Sequence, residues 1–207
     1  MSSDHIDTEG FRANVGIILT NGNGRVMLAG RAGSKGWQFP QGGMLQGEST
    51  EEAMFRELFE EVGLTSEDVE VLGATDDWLR YRLPDKFVRK DSRPLCIGQK
   101  QRWYLLKLVG PEDSIRFDRS DSPEFDRWRW VEFWHPVKEV IYFKRRVYAQ
   151  ALNELGPHIY PEGLPPQPRW WPNRWRAVFA KDVKRAREKR DASNSEGFDD
   201  RQADDQE

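Results

Sequence analysis

The sequence predicts an α/β protein in which helices pack on a mixed β-sheet, followed by a flexible C-terminal extension. Three observations support this fold class. Apolar segments of strand length alternate with two helical segments over residues 11–156. An Asn-Gly-Asn-Gly turn at 21–24 joins two of the apolar segments, as in a β-hairpin. A helix with suitable capping residues spans 49–62, and strands interleaved with helices are typical of a sheet covered by helices.

The first elements of the chain have clear local signals. Residues 15–20 form a short apolar strand, and residues 25–31 return beside it after the turn. In the first helix, Ser49 is a good N-cap, Glu52 completes a capping box and Gly63 is a suitable terminating glycine. One apolar stripe on this helix predicts its buried face. The stripe consists of Met54, Phe55, Leu58, Phe59 and Val62.

The second half of the domain continues the alternation. Residues 69–78, 103–109 and 127–134 are predicted to be strands, the last because aromatic and charged residues alternate. Residues 137–155 are predicted to form a second long helix. We therefore expect one folded domain spanning residues 1–156.

The extension, residues 157–207, has a different composition. Five prolines in 161–172 indicate an extended linker. Residues 169–190 contain nine Lys or Arg and two acids, whereas 191–207 contain seven acids and one Arg. The acidic end is predicted to be disordered, because it has little apolar surface to bury. The Trp residues among the basic ones suit RNA stacking or a membrane or protein surface; the alternative is a short helix at 173–190.

Composition excludes several classes of protein. The 207 residues include a single cysteine, Cys96, so we expect neither an internal disulfide nor a cysteine-built metal site. The three histidines are scattered, and no apolar run approaches the roughly 20 residues of a membrane span. The polar, acidic N-terminus does not resemble a signal peptide. These features predict a soluble, cytoplasmic protein without a membrane partner.

Three glutamates share one edge of the first predicted helix. Glu57, Glu60 and Glu61 lie near its C-terminal end, where like charges repel one another and oppose the helix dipole. A divalent cation removes both penalties, because Mg²⁺ prefers carboxylate oxygens together with water and phosphate. An acidic face in solvent is the alternative interpretation of these three residues.

The spacing around the glutamates is more specific than the cluster itself. The pattern G-x5-E-x7-R-E-U-x-E-E-x-G-U, where U is apolar, fits residues 42–64 without exception. A chance match to its fixed positions is rarer than roughly one in a million at ordinary residue frequencies. This pattern is the Nudix box, so the chain resembles a Nudix hydrolase. The resemblance implies a Nudix-type α/β/α sandwich and a divalent cation, Mg²⁺ or another such as Mn²⁺.

The resemblance also implies roles for residues of the box. Glu57, Glu60 and Glu61 would ligate the metal. Glu48 and Arg56 would form a supporting ion pair, and an ordinary pairing of Arg56 within the helix is the alternative. Nudix enzymes hydrolyse a nucleoside diphosphate linked to another group. Metal ions serve that chemistry by activating water and neutralising charge on the phosphates.

Segments outside the box narrow the resemblance. Over about residues 11–150 the chain is similar to bacterial RNA pyrophosphohydrolases, through the strings GFRANVGIIL, WQFPQGG, WLRYRLP, CIGQKQRWYLLKL, PEFDRWRWV and FKRRVY. Those enzymes remove pyrophosphate from triphosphorylated 5′ ends of RNA, leaving a 5′-monophosphate that triggers mRNA decay. Plant-type dinucleoside polyphosphate hydrolases share much of this pattern and are the alternative.

The RNA pyrophosphohydrolase resemblance implies further site residues. Glu124 would add a carboxylate to the metal site, with a loop acid or strand cap as the alternative. Arg12 and Phe143 would hold a base near the RNA 5′ end. Their alternatives are a solvated arm residue and ordinary helix packing. Arg31 and Gln99 would lie near the phosphates.

Local charge fits RNA better than total charge does. The net charge of −3 predicts no general nucleic-acid surface, but basic residues concentrate in 80–102 and 144–146. Basic side chains of this kind contact phosphates, while aromatic side chains stack on nucleobases. A run of charge is also common on any solvated face. A third hypothesis, a catalytically silent RNA-binding module, is disfavoured because such a module has no use for adjacent unpaired carboxylates.

Overall fold

The computed structural model describes residues 6–91, 93–177 and 179. The chain divides into two compact units, Met1–Pro165 and Pro166–Glu207. The described part of the first unit contains an eight-stranded sheet and the helices that pack on it. The domain boundary expected after residue 156 stays a prediction.

The elements of the first unit are named in chain order. The strands are β1 (Phe11–Thr20), β2 (Arg25–Arg31), β3 (Trp37–Gln38), β4 (Gln41–Gly43), β5 (Val69–Ala74), β6 (Leu79–Arg82), β7 (Gly98–Leu108) and β8 (Phe125–Glu132). The α-helices are α1 (Thr50–Val62), α2 (His135–Glu139) and α3 (Arg145–Leu155). Short 3₁₀ turns lie at Asp85–Phe87, Glu112–Ser114, Tyr142–Lys144 and Gly156–His158.

The sheet is mixed, as the sequence predicts. Its central strands β1 and β7 are parallel, with Phe11 opposite Gly98 and Thr20 opposite Lys107. The main path is β3-β2-β1-β7-β5, while β4 pairs with β1, β6 with β7 and β8 with β2. These other pairings are antiparallel. The parallel pair thus forms the centre around which hairpins add further strands.

Helices α1 and α3 cover opposite faces of the sheet. Successive side chains of a strand point to opposite faces. Val15 of β1 belongs to the core that includes Leu58 of α1. The next residue, Gly16, leaves room for the Trp103 ring, which an added Cβ would approach to 2.6 Å. Trp103 in turn packs edge-on against Tyr148 of α3. The α/β/α sandwich is therefore confirmed.

Helix α1 begins and ends where its capping residues predict. Ser49 Oγ accepts from the Glu52 backbone N–H, and the Glu52 carboxylate accepts from the Ser49 N–H at 2.8 Å. Gly63 ends the helix in the left-handed conformation, with φ of 75°. One member of the predicted stripe differs: Phe59 is 43% exposed, and its ring lies beneath the Arg119 guanidinium. The helix edge at Phe59 is therefore a surface position.

The predicted helix over 137–155 is wrong as a single element. The backbone is extended at Val140, which separates α2 from the Tyr142–Lys144 turn and from α3. The break frees backbone carbonyls that a continuous helix would use. The Arg145 guanidinium donates to two of them, those of Lys138 and Val140, at 3.1 and 3.4 Å. This side chain compensates for the missing helical hydrogen bonds.

The predicted strand over 69–78 is too long, because β5 ends at Ala74. Thr75 Oγ1 donates to the carbonyl of Asp77 and accepts from the Trp103 N–H, so the chain turns there between β5 and β6. The strands predicted at 15–20 and 103–109 are longer at their N-terminal ends, as β1 and β7. This extension brings the starts of the two central strands together, at Phe11 and Gly98.

The second unit contains an aromatic cluster. The Trp171 ring contacts the rings of Trp175 and Phe179, with centroids 5.9 and 5.6 Å apart. Residues 173–177 are helical, which agrees with the start of the short helix considered at 173–190. The rest of that range, apart from Phe179, and the acidic residues 191–207 lie outside the described residues. In the described part of the chain, no helix has the length and apolarity needed to cross a bilayer.

Candidate active site

Two glycines of β4 allow the site to form against helix α1. A Cβ added at Gly42 would lie 1.7 Å from the Glu57 carboxyl carbon. A Cβ at Gly43 would lie 2.2 Å from Nη2 of Arg12. Contacts under 3.0 Å cannot be accommodated without a shift of one partner. The absence of side chains at 42 and 43 therefore lets a carboxylate and a guanidinium lie directly on the β4 backbone.

Arg56 organises the polar side of the site. Its Nε and Nη2 donate to the two carboxylate oxygens of Glu48, at 2.7 and 2.9 Å, so the predicted ion pair is present and bidentate. Nη2 also donates to the Gly43 carbonyl at 2.8 Å, and Nη1 donates to Glu57 at 2.6 Å and Glu60 at 3.3 Å. The Arg56 hydrogen bonds lower the pKa of Glu48 and raise that of the guanidinium.

Two glutamates of α1 are held in a desolvated environment. Glu57 is 8% exposed, and burial raises the pKa of its carboxyl although Arg56 opposes the shift. Glu61 accepts from the Gln41 backbone N–H at 2.8 Å. Burial raises the Glu61 pKa well above its ordinary value, and the nearby carboxyl of Glu124 raises it further. Burial therefore disfavours the ionised form of both groups, and at Glu57 the ion pair with Arg56 does not fully offset it.

Glu124 and Lys144 reach the same place from distant parts of the chain. Glu124 Oε1 accepts from the Gln38 amide at 3.1 Å and lies 3.8 Å from Nε of Arg31. Lys144 Nζ donates to Oε1 of Gln41 at 3.1 Å. Burial lowers the pKa of Lys144 to about 8, against the opposing influence of Glu124. A desolvated amine thus stands beside the carboxylate cluster.

The residues predicted to bind nucleotide form the adjoining wall. Arg12 and Gln99 are register partners on β1 and β7. Gln99 Oε1 accepts from the Tyr81 hydroxyl at 2.6 Å. The Tyr81 ring lies 5.7 Å from the ring of Phe143 and 5.7 Å from Nζ of Lys144. Tyr81 therefore links the predicted phosphate side of the site to the predicted base-binding side.

The donor set fits a hard divalent cation. The described residues contain no ready-made cage of three acidic, His or Cys side chains. However, Glu57 and Glu61 lie near each other and near Glu124, and burial and like charge both act against the ionisation of Glu57 and Glu61. A dication reverses both effects, and carboxylate oxygens are what Mg²⁺ prefers. Glu60 is half exposed and contacts Arg56 instead.

Sequence reasoning named no individual role for four residues that line this site, although it counted Lys144 within a basic group suited to phosphates. They are Gln38, Gln41, Tyr81 and Lys144. All four lie in the strings that carry the resemblance to RNA pyrophosphohydrolases, and Lys144 follows Phe143 directly. Their position within these sequence segments is therefore the signal that could have identified the four residues. The roles assigned to the glutamates, Arg12, Arg31, Gln99 and Phe143 stay predictions.

Comparison with known proteins identifies the class of protein. Residues 10–155 match the NUDIX domain, and the chain belongs to the Nudix family. It is 63% identical to a protein named RNA pyrophosphohydrolase from Alkalilimnicola ehrlichii over 163 residues, 79% of this chain and 90% of that protein. A protein of the same name from Methylococcus capsulatus is 60% identical over 150 residues, 72% and 78% of the two chains.

A solved structure supports the fold alone. The E. coli dihydroneopterin triphosphate pyrophosphohydrolase superposes with a TM-score of 0.54 and 17% sequence identity. The match covers 67% of this chain and 92% of that one. At this identity the likeness extends to the arrangement of sheet and helices and not to the substrate.

Proposed function

We propose that this protein is an RNA pyrophosphohydrolase that acts on triphosphorylated 5′ ends of RNA. It would release pyrophosphate and leave a 5′-monophosphate, which exposes the transcript to decay in the cytoplasm. The observation that carries the proposal is the convergence of two desolvated carboxylates, Glu57 and Glu61, with the more exposed Glu124, beside Arg56 and Lys144. The two relatives named RNA pyrophosphohydrolase, 63% and 60% identical, support the choice of RNA.

Glu57, Glu61 and Glu124 are the residues that would hold Mg²⁺ or Mn²⁺, with Glu60 as a fourth carboxylate within the network of Arg56. When bound, such a cation neutralises charge on phosphate oxygens and lowers the pKa of a water molecule. Arg56 keeps Glu57 and the loop bearing Glu48 in place through its bonds to both carboxylates. The Gln41 N–H fixes the orientation of the Glu61 carboxylate.

The chain also supplies cations for the phosphates. Arg31 and Lys144 both lie beside the carboxylates, and a protein cation near a polyphosphate stabilises its charge. Gln99, held by the Tyr81 hydroxyl, offers an amide whose N–H groups can donate to phosphate oxygens. Together these groups would orient the triphosphate relative to the carboxylate cluster.

Arg12 and Phe143 would recognise the nucleotides at the 5′ end. The guanidinium of Arg12 lies on Gly43, and the Phe143 ring lies among the rings of Tyr81, Phe87 and Tyr142. Arginine planes and aromatic rings are the surfaces on which unpaired RNA bases stack. RNA therefore has more to contact here than a free nucleotide has.

One comparison of substrates tests the proposal. Purified protein with Mg²⁺ is incubated with γ-labelled triphosphorylated RNA and with diadenosine tetraphosphate, and the products are identified. We expect pyrophosphate and 5′-monophosphorylated RNA, with higher kcat/KM on RNA. Higher kcat/KM on the dinucleotide would favour a dinucleoside polyphosphate hydrolase, and no hydrolysis of either would exclude both activities.

A further inference from the structure

A groove of about 660 Å³ opens between the end of β6 and the start of β7, outside the carboxylate cluster. Among the described residues that line it, Arg82, Lys90 and Arg93 are basic, Asp85 is acidic, and the other walls are aliphatic. Protein ligand sites occupy about 300–1,000 Å³, so the groove can accommodate a ligand of nucleotide size. Its positive balance favours an anionic ligand with an apolar part.

Contacts between side chains connect this groove to the base-binding wall of the site. The Phe143 ring packs against the Phe87 ring at 5.3 Å. Phe87 belongs to the Asp85–Phe87 turn, and both Asp85 and the following Val88 line the groove. A bound ligand that extends from Phe143 past Phe87 therefore reaches the groove next. Phe87 is itself 42% exposed, so its ring is accessible to a ligand.

Two of the basic side chains of the groove, those of Arg82 and Arg93, are oriented by the protein. The Arg82 guanidinium lies over the Phe11 ring, 5.5 Å from its centroid. Arg93 Nη1 donates to the carbonyl of Lys90 at 2.9 Å. Leu95 contributes a wall that is 40% exposed. Oriented cations next to an accessible aliphatic wall suit a phosphate linked to a flat, weakly polar base.

We propose that this groove binds the RNA strand just downstream of the nucleotides held at Phe143. The inference rests on the proposed function, because single-stranded RNA is the polyanion that the neighbouring site would admit. Lys90 and Arg93 neutralise phosphates of the strand, and the aliphatic wall with Phe87 receives a base or ribose. The groove thereby makes the enzyme sensitive to RNA length beyond the first nucleotides.

The test measures kcat/KM on triphosphorylated, unstructured RNAs of about two to about ten nucleotides, a range that spans single-strand site sizes. The readout is the ratio of kcat/KM on the longest RNA to that on the shortest. Two variants alter the groove: Lys90→Ala/Arg93→Ala removes cations, and Val88→Trp fills the space while keeping all charges. Thermal melting confirms that each variant is folded.

A matched control removes two cations elsewhere. Arg25→Ala/Lys107→Ala changes the net charge equally, at exposed positions that pair with Glu132 and Glu70. Lys107 lies near the far end of β7 and Arg25 beside the end of β1, about 30 Å from the groove at about 3.3 Å per residue. Exposed pairs of this kind contribute little to stability, so the control should fold normally.

We expect the length ratio to fall at least about fivefold in both groove variants, the effect of removing one stacked base or one neutralised phosphate from the bound strand. The control should keep the wild-type ratio. Removing Lys90 and Arg93 should also reduce the salt dependence of RNA binding, by about 0.7 in the log–log slope for each phosphate that is no longer neutralised.

An unchanged ratio in Lys90→Ala/Arg93→Ala overturns the inference. So does an unchanged ratio in folded Val88→Trp, because charge would then act without the groove. An equal fall in the control would show that net charge, and not this groove, sets the length dependence. Failure of the wild-type enzyme to cleave RNA of any length would overturn the proposed function itself, a result distinct from the others.

Discussion

Glu48 and Glu61, at opposite ends of the Nudix box, have opposite electrostatic surroundings. Glu48 accepts two hydrogen bonds from Arg56 and one from the Leu45 N–H, and its pKa is lowered. Glu61 accepts one N–H, that of Gln41, and burial together with Glu124 raises its pKa. The same residue type therefore forms a satisfied contact in one place and an uncompensated one in the other.

This difference distinguishes a glutamate that stabilises the fold from glutamates that are suited to bind a cation for the reaction. A desolvated carboxylate without a counter-charge costs free energy unless it is protonated or paired. The protein tolerates that cost at Glu61 and, to the extent that Arg56 does not offset burial, at Glu57, and a cation bound there would recover it. At Glu48 the counter-charge is built in, so its carboxylate is available to position the loop and not to bind a metal.

The largest effect that would test this comparison is expected from Glu61→Gln. The change should lower kcat/KM on triphosphorylated RNA at least about 100-fold, since an anionic oxygen donor is removed. The metal-free protein should melt at the same temperature or higher, because the glutamine oxygen still accepts from Gln41 and the buried charge is gone. Steady-state kinetics and melting without metal measure the two effects.

Glu51→Gln is the matched control for Glu61→Gln, since Glu51 is exposed on the first turn of the same helix. It should keep wild-type activity and stability. Near-wild-type turnover in Glu61→Gln would show that Glu61 is not a metal ligand. A large drop in its melting temperature would show that Glu61 is structural, like Glu48.

Glu48→Gln should show the opposite combination, a loss of stability with a smaller loss of activity. Removing the carboxylate leaves Arg56 with a weaker partner in a half-buried place, which costs about 1–3 kcal/mol of unfolding free energy. Activity should fall about 10- to 100-fold, because Arg56 then holds Glu57 less firmly. Denaturant unfolding and kinetics provide the two measurements.

Glu52→Gln is the control for Glu48→Gln, because glutamine also serves in a capping box. Its carboxylate accepts from the Ser49 N–H, a bond that the glutamine oxygen preserves. Little change in either measurement is therefore expected. If Glu48→Gln is as stable as the wild type, the bidentate contact with Arg56 does not support the fold.

The surroundings of Glu48 and Glu61 also show how much of the site can be predicted from the sequence. Helix α1 and its caps follow from residues within a few positions of one another, and the box specified Glu48, Arg56 and Glu61 by spacing. The contact of Lys144 with Gln41 joins residues 103 positions apart, and no local pattern indicates it. The helix break at Val140, which separates the Tyr142–Lys144 turn from α2, lacks a proline or glycine signal.

Magnesium binding should depend on pH because of the raised carboxyl pKa values. Glu57 and Glu61 titrate above the ordinary 4.5 in the folded state, so protons stabilise the metal-free fold. That contribution is present at low pH and is lost as pH rises through the raised values. Mg²⁺ competes with those protons. Its stabilising effect should therefore be larger at pH 8 than near pH 5.5, by about 1 kcal/mol or 2–4 °C in Tm.

Melting curves with and without Mg²⁺ at the two pH values measure this difference, and Glu61→Gln serves as the comparison. The variant should show a weaker Mg²⁺ effect that changes less with pH. Equal Mg²⁺ shifts of the wild-type Tm at both pH values would argue that the buried carboxyls are not where the cation binds.

The smallest effect is expected at Glu154, a carboxyl with a raised pKa outside the site. Burial is the main cause, and nearby Asp76 and Asp77 add to it, while the Asp76 N–H donates to Glu154. A raised folded pKa means that its contribution to stability is present near pH 4 and is lost as pH rises above 4.5. Glu154→Gln keeps an acceptor for the Asp76 N–H and removes the charge.

Glu154→Gln should therefore match the wild type near pH 4 and be slightly more stable at pH 8, by no more than about 0.5 kcal/mol. Its kcat/KM on RNA and its Mg²⁺-induced shift in Tm should be those of the wild type. This result would show that a raised pKa alone does not identify a functional carboxylate, since Glu154 and Glu61 share the shift in direction and in main cause. The distinction lies in the neighbours: Glu61 adjoins two further carboxyls of the site, Glu57 and Glu124. A loss of Mg²⁺ response in Glu154→Gln would contradict this assignment, because it would place a carboxylate far along α3 in the cation's environment.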